Sequence, residues 1–261
     1  MSEPYRQVMS ELRNDPDTDP HVLKVQRGEA ISQAAEFMSR ESETSSGHKT
    51  FDGHILEVIS HLPQFLDSQI ALNTLRKSYT PHSEKAPHLD NVVRLNHALK
   101  ELVDANPLLS FTNVLGFLQQ MNTAINGQGH AELFSYEARS ILVGMRHEIA
   151  VEQMLGMMPD VDYQDTSLEN DLKGSDVFVS IDNSPYVAID IKASEMSAQN
   201  AQQKAARRGY NPAVIVWSQL YDNDFGDNFR IPHETALERK DNLHEQLVRA
   251  VVSETSQRAR A

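Results

Sequence analysis

A chain of 261 residues with 39% hydrophobic and 23% charged side chains is long enough for one large domain or two small ones and too apolar for wholesale disorder. It has no cysteine, which excludes a disulfide framework, a thiolate zinc site and a cysteine nucleophile, so any metal must take oxygen or imidazole ligands. A formal net charge of -13, spread over both halves, opposes tight non-specific binding to phosphate backbones unless a local basic stripe supplies it.

The chain begins "MSEPYRQVMSELRNDPDTDP", polar and acidic, with no signal-peptide core. No apolar run approaches the roughly 20 residues that span a bilayer. The expectation is a cytoplasmic protein without a membrane partner.

Helical periodicity runs through residues 1–130. The segments "GEAISQAAEFMSRES" (28–42), "FDGHILEVISHLPQFLDSQIALNTLRKS" (51–78), "DNVVRLNHALKELVDANP" (90–107) and "LLSFTNVLGFLQQMNTAI" (108–125) all space apolar residues by three and four. In the third, Val92, Leu95, Leu99 and Leu102 form one stripe, and Asp90 or Asn91 is placed to cap its start. Residues 39–49 and 78–88 have loop composition. The stretch "INGQGHAE" (125–132) is the candidate boundary, giving a helical domain over 1–130 and a second domain over 131–261.

After that boundary the pattern changes. A helix near 133–158 leads into an acidic stretch, 160–171, that reads as a solvated loop. Two apolar runs follow within "GSDVFVSIDNSPYVAIDIKAS" (174–194), joined by "DNSP" and expected to pair antiparallel. Next come a polar helix (194–209), a β-branched run at 211–219, a turn "YDNDFGDN" (221–228) and a C-terminal helix. Helix, strand, strand, helix, strand, helix predicts an α/β (α+β) domain, a small mixed sheet flanked by helices.

The charges on the two predicted strands call for an explanation. Alternation puts Asp190 and Lys192 on one face with Ala188, and Val187, Ile189 and Ile191 on the other. Asp176 shares its face with Phe178 and Ser180, so Asp176 and Asp190 converge at the end of the pair opposite the turn. Converging carboxylates favour a cation between them. Oxygen-only ligation suits Mg²⁺, or Mn²⁺ in its place. Glu148, within an apolar stripe of the preceding helix, is the candidate third carboxylate, with Glu152 as the alternative. Lys192 would stabilise developing charge or orient the attacking water.

A helix acid in "GMRHEIAVEQML", then "GSD", then "AIDIKAS", then a polar helix and a β-branched strand resembles the PD-(D/E)XK nuclease superfamily, over residues 136–219. The resemblance implies a restriction-endonuclease-like core in which Glu148, Asp176, Asp190 and Lys192 are catalytic. Glu148, Asp176 and Asp190 would hold Mg²⁺ or Mn²⁺ for phosphodiester hydrolysis. "GSD" stands where the family name has "PD". Gln199, Gln202 and Gln203 compete for the glutamine often found on the following helix, and Tyr210, seven beyond Gln203, does not match the exonuclease spacing.

Lys204, Arg207 and Arg208 share a helix face and are the candidate nucleic-acid contacts, or equally cations favoured by a helix C-terminus. His147 is expected at the surface or behind a ligand, Trp217 in the core, and the methionines of "EQMLGMM" as core filling. The functional expectation is a metal-dependent nuclease, a DNA endonuclease ahead of an RNase. A protein partner or homodimer would engage through the helical region. The alternatives are a non-catalytic binding or assembly module of the same fold and a toxin-like RNase.

Overall fold

The computed structural model describes residues 49–75, 82–126, 131–166, 175–208 and 213–258, with the isolated positions 32, 35 and 36. The protein is mixed α/β and mostly helical, with one four-stranded sheet among the described residues. Its contacts divide it into two compact units, residues 1–108 with 112–139, and residues 109–111 with 140–261. No helix among the described residues is long and apolar enough to cross a membrane.

In the first unit, helices α1 (Phe51–Leu75) and α2 (His82–Ala105) pack along apolar stripes. Val58, Leu62, Phe65 and Leu72 are buried on α1, and Leu95, Leu99 and Leu102 on α2, at spacings that return each side chain to the same face. Helix α3 (Phe111–Asn126) follows. Residues 82–88 are helical rather than loop, which places Asp90 and Asn91 inside α2 instead of at its cap. Both polar side chains have partners there. Asp90 accepts from Arg94 at 2.7 Å, and Asn91 Nδ2 donates to the buried Ser68 Oγ at 2.9 Å. Of the polar stretch 39–49, only Lys49 is among the described residues, and of the boundary stretch 125–132, residues 127–130 lie outside them.

The second unit takes in α4 (Ala131–Leu155) from residue 140 onward. Then follow β1 (Val161–Asp165), β2 (Val177–Ile181), β3 (Val187–Lys192), α5 (Glu195–Arg208), β4 (Val214–Trp217), a one-turn helix α6 (Asp222–Phe225) and α7 (His233–Arg258). The sheet order is β1-β2-β3-β4, with β1/β2 and β2/β3 antiparallel and β3/β4 parallel through the α5 crossover.

Two segments of the second unit differ from the sequence expectation. Part of the acidic stretch 160–171 is a strand: Val161 and Tyr163 pack on the core while Asp162, Gln164 and Asp165 face water, and charged outer residues suit a sheet edge. Within 221–228 the chain completes one helical turn before Gly226 reverses it at φ 60°.

Core packing sets the orientation of the charged strands. Val177 and Val179 of β2 and Val187, Ile189 and Ile191 of β3 bury against Val151, Met154 and Leu155 of α4 and Leu243, Leu247 and Val251 of α7. Each fully buried aliphatic side chain contributes roughly 1.5–3 kcal/mol. A one-residue slip of β3 would expose its three apolar side chains and drive Asp190 and Lys192 into the core. The turn supports the same register, since Asp182 and Asn183 adopt positive φ (50° and 58°) and Ser184 N–H closes on Ile181 C=O at 2.9 Å.

Candidate active site

Asp176 immediately precedes β2 and is bound to β3 twice. Its backbone N–H donates to Ile189 C=O at 2.8 Å, and its carboxylate Oδ2 accepts the Ile191 N–H at 2.5 Å. The side chain thus satisfies a strand donor that a carbonyl would normally satisfy. Asp190 and Lys192 lie on the outer face of β3, beside Ile215 and Trp217 of β4 in register. The Lys192 ammonium donates to Asp190 Oδ1. Beyond the paired strands, Ser218 N–H donates to Lys192 C=O at 3.1 Å, extending the β3/β4 contact past the lysine.

Glu148 is half-buried on α4 and lines a cleft of about 710 Å³ together with Asp176 and Lys192. Asp190 meets this group through Lys192. Burial, then the charges of Glu148 and Asp190, push the Asp176 carboxyl well above the usual carboxylate range against the opposing pull of Lys192 and the Ile191 N–H. Burial pulls the Lys192 ammonium down, but Asp190, Asp176 and Glu148 together outweigh it and raise its pKa. Without a further cation the site therefore disfavours the ionised form of Asp176, while the Lys192 ammonium stays protonated at neutral pH.

The three expected ligands are not drawn into a closed shell. Among the described residues, the one His/Asp/Glu trio with ligand atoms within 4.8 Å of one another is His54, Glu57 and Glu101, in the first unit. There Lys49 already supplies a cation, with Nζ 2.5 Å from Glu57 and 3.7 Å from Glu101. At Glu148, Asp176 and Asp190 the fit to a divalent cation rests on chemistry. The donors are all hard oxygens, an ionised Asp176 is disfavoured beside Glu148 and Asp190 unless a cation joins them, and the bonds to Ile191 and Lys192 engage one oxygen of each aspartate. Two carboxylates plus waters meet the usual needs of Mg²⁺.

His147, expected at the surface or behind a ligand, is not at the surface. It is only 3% exposed, its Nδ1 lies 2.7 Å from Ser218 Oγ, and its ring meets Phe225 edge-on at 4.9 Å. Burial, then the neighbouring Arg146, lowers its pKa to about 4. Arg146 lies between the rings of Phe111 and Phe225, 5.0 and 4.5 Å from their centroids, and pairs with Asp222 on the cleft wall. Trp217 is half-buried with its Nε1 sealed from solvent and without a hydrogen-bond partner. Met154 and Met158 are buried, as expected of core filling.

Gln199, Gln202 and Gln203 are exposed on α5, and Gln199 donates to Glu195 at 3.1 Å. Lys204, Arg207 and Arg208 belong to the last turns of α5, but their side chains, like Tyr210, lie outside the described residues. Ser218, Tyr221 and Asp222 escaped sequence reasoning because they reach the site only through the β3/β4 pairing. The apolar-to-polar switch after "VIVW" was the available signal. No family model, no curated protein and no solved structure matches this chain.

Proposed function

We propose that the protein is a metal-dependent nuclease of restriction-endonuclease-like fold, hydrolysing phosphodiester bonds, with DNA ahead of RNA as substrate. One observation carries it: Asp176, Asp190 and Lys192 come together on adjacent strands, with Glu148 across the same cleft and its charge felt at Asp176. Asp176 and Asp190 would hold Mg²⁺ or Mn²⁺, with Glu148 completing the shell directly or through water. The ion, when bound, supplies charge neutralisation for the phosphate and acidifies a water.

The chain's own groups have separable tasks. Asp176 is fixed by its bond to Ile191 N–H, so its remaining oxygen is presented at a set position. Lys192 cannot act as a base while its pKa stays high, so it serves as a donor to a non-bridging or attacking oxygen. His147 is neutral above its lowered pKa and ties α4, through Ser218, to the strand end that carries Lys192. The helical first unit would select a target or a partner.

A second reading has one observation in its favour. The Lys192 ammonium already neutralises Asp190, as an unreacting ion pair on a non-catalytic binding module would. A cleavage assay separates the two, using circular and linear DNA and RNA with Mg²⁺, Mn²⁺ or EDTA. Metal-dependent cutting that is lost in folded Asp190→Ala and Lys192→Ala supports the nuclease. No cutting by wild type supports the binding module, and equal cutting by the variants contradicts the roles given to Asp190 and Lys192.

A further inference from the structure

Tyr221 lines the same cleft as Glu148, Asp176 and Lys192, yet it is 57% exposed. Three contacts hold it there. Its N–H donates to Asp224 Oδ2 at 2.7 Å while its carbonyl accepts the Asp224 N–H at 2.9 Å, which fixes the backbone in both directions. Trp217 meets the Tyr221 ring edge-on, with centroids 6.2 Å apart and planes at 88°. The Arg239 guanidinium lies 5.9 Å from the ring centroid, and Arg239 is itself paired with Asp224 at 3.3 Å. An aromatic ring held in place but left open to water is an arrangement suited to receiving a flat apolar surface.

The remaining wall limits what that surface belongs to. Among the described residues lining the cleft, Lys192 is the one lysine or arginine, set against Glu148, Asp176 and Asp222, and the imidazole of His147 is neutral above its lowered pKa. A duplex is held chiefly through Lys and Arg contacts to its phosphates, and the described residues of this wall do not offer a row of them. It offers hydroxyls from Ser194 and Ser197 and the Asn223 amide, groups that hydrogen-bond base edges. The volume of about 710 Å³ is that of a small-ligand site, whose usual range is roughly 300–1,000 Å³.

We infer that the cleft takes an unpaired nucleotide whose base stacks on the Tyr221 ring, so that the ligand is a single-stranded nucleic acid or an unpaired segment rather than an intact duplex. The inference rests on the nuclease proposal for the class of ligand and on the Tyr221 ring for its strandedness. Sequence-tolerant stacking on a fixed aromatic is the mode expected of such a site.

The test titrates the full chain, with Ca²⁺, into labelled oligothymidylate and oligouridylate of about ten nucleotides, within the usual site sizes for single strands, and into a hairpin duplex. Anisotropy should show single strands binding about tenfold tighter than the hairpin or more, a difference near 1.4 kcal/mol. Tyr221→Ala should weaken single-strand binding by roughly 5- to 150-fold, the cost of one lost stacking contact, while Tyr221→Phe should bind like wild type. Trp217, the single tryptophan of the chain, gives a second readout, since a base on Tyr221 should change its fluorescence. Equal binding of hairpin and strand, wild-type binding by Tyr221→Ala, or no binding of any oligonucleotide would overturn the inference. Cleavage is scored separately with Mg²⁺. Tyr221-dependent binding without cutting overturns the nuclease and leaves the stacking site standing. Cutting with a KM unchanged in Tyr221→Ala does the reverse.

Discussion

Asp176 carries two burdens at once, a structural bond to the β3 backbone and a charge that burial, Glu148 and Asp190 all oppose. Its folded-state pKa lies above the unfolded value, so its contribution to stability is fully present below the unfolded pKa and is lost as pH rises through the folded one. At neutral pH without metal it therefore destabilises the fold. Asp176→Asn keeps an oxygen for the Ile191 N–H and removes the charge. A melting experiment in EDTA at neutral pH should show a higher Tm for the variant than for wild type, and added Mg²⁺ should raise the Tm of wild type more than that of the variant. A lower variant Tm in EDTA would mean that the Ile191 bond needs the carboxylate.

His147 runs the other way. Its folded pKa of about 4 lies below the unfolded 6.5, so its contribution is complete above 6.5 and is lost as pH falls from about 6.5 toward 4. Urea melts across that window, comparing wild type with His147→Gln, should show the wild type losing stability on acidification relative to the variant. Parallel curves would place the imidazole in water, contrary to its contacts with Ser218 and Phe225.

At the scale of elements, the alternation in β3 makes core and site parts of one strand. Ile189 is fully buried between Ala188 and Asp190. Ile189→Ala should cost roughly 2–5 kcal/mol, read from denaturant midpoints. It should also reduce any metal-dependent Tm gain, because the cavity loosens the strand that carries Asp190 and Lys192.

That alternation was legible in the sequence. "VAIDIK" states which residues face the core and which face the site, and "DN" marks the turn that pairs the strands. The edge strand β1 was less so, since "VDYQD" alternates correctly but carries enough acid to pass for a loop. The start of α2 was hidden because polar side chains such as His88 and Asn91 hydrogen-bond Ser68 across a helix pair, a partner 20 or more residues away. The cleft wall around Ser218 and Tyr221 was not legible, because its place follows from which strand β4 pairs with. A local pattern does not encode that choice.

At the scale of the whole molecule, the charge of -13 bears on how nucleic acid can be held at all. A strongly acidic chain has no general attraction for phosphate, so binding must depend on the cation and on local contacts. Replacing Mg²⁺ with EDTA should therefore abolish binding of single strands in an anisotropy assay rather than merely prevent cutting. Binding that persists in EDTA would place the attraction elsewhere, on a basic surface independent of the cleft.

The most direct test of the central claim, that Asp176 and Asp190 hold a divalent cation, is calorimetric titration of Mn²⁺ into the full chain at neutral pH. Wild type should bind, Asp176→Asn and Asp190→Asn should each bind roughly tenfold more weakly or worse, and Glu57→Gln, which alters the carboxylate already paired with Lys49, should bind as wild type does. Absence of binding by wild type, or wild-type affinity in both aspartate variants, would contradict the claim. Loss of binding in Glu57→Gln alone would move the metal to the trio of His54, Glu57 and Glu101.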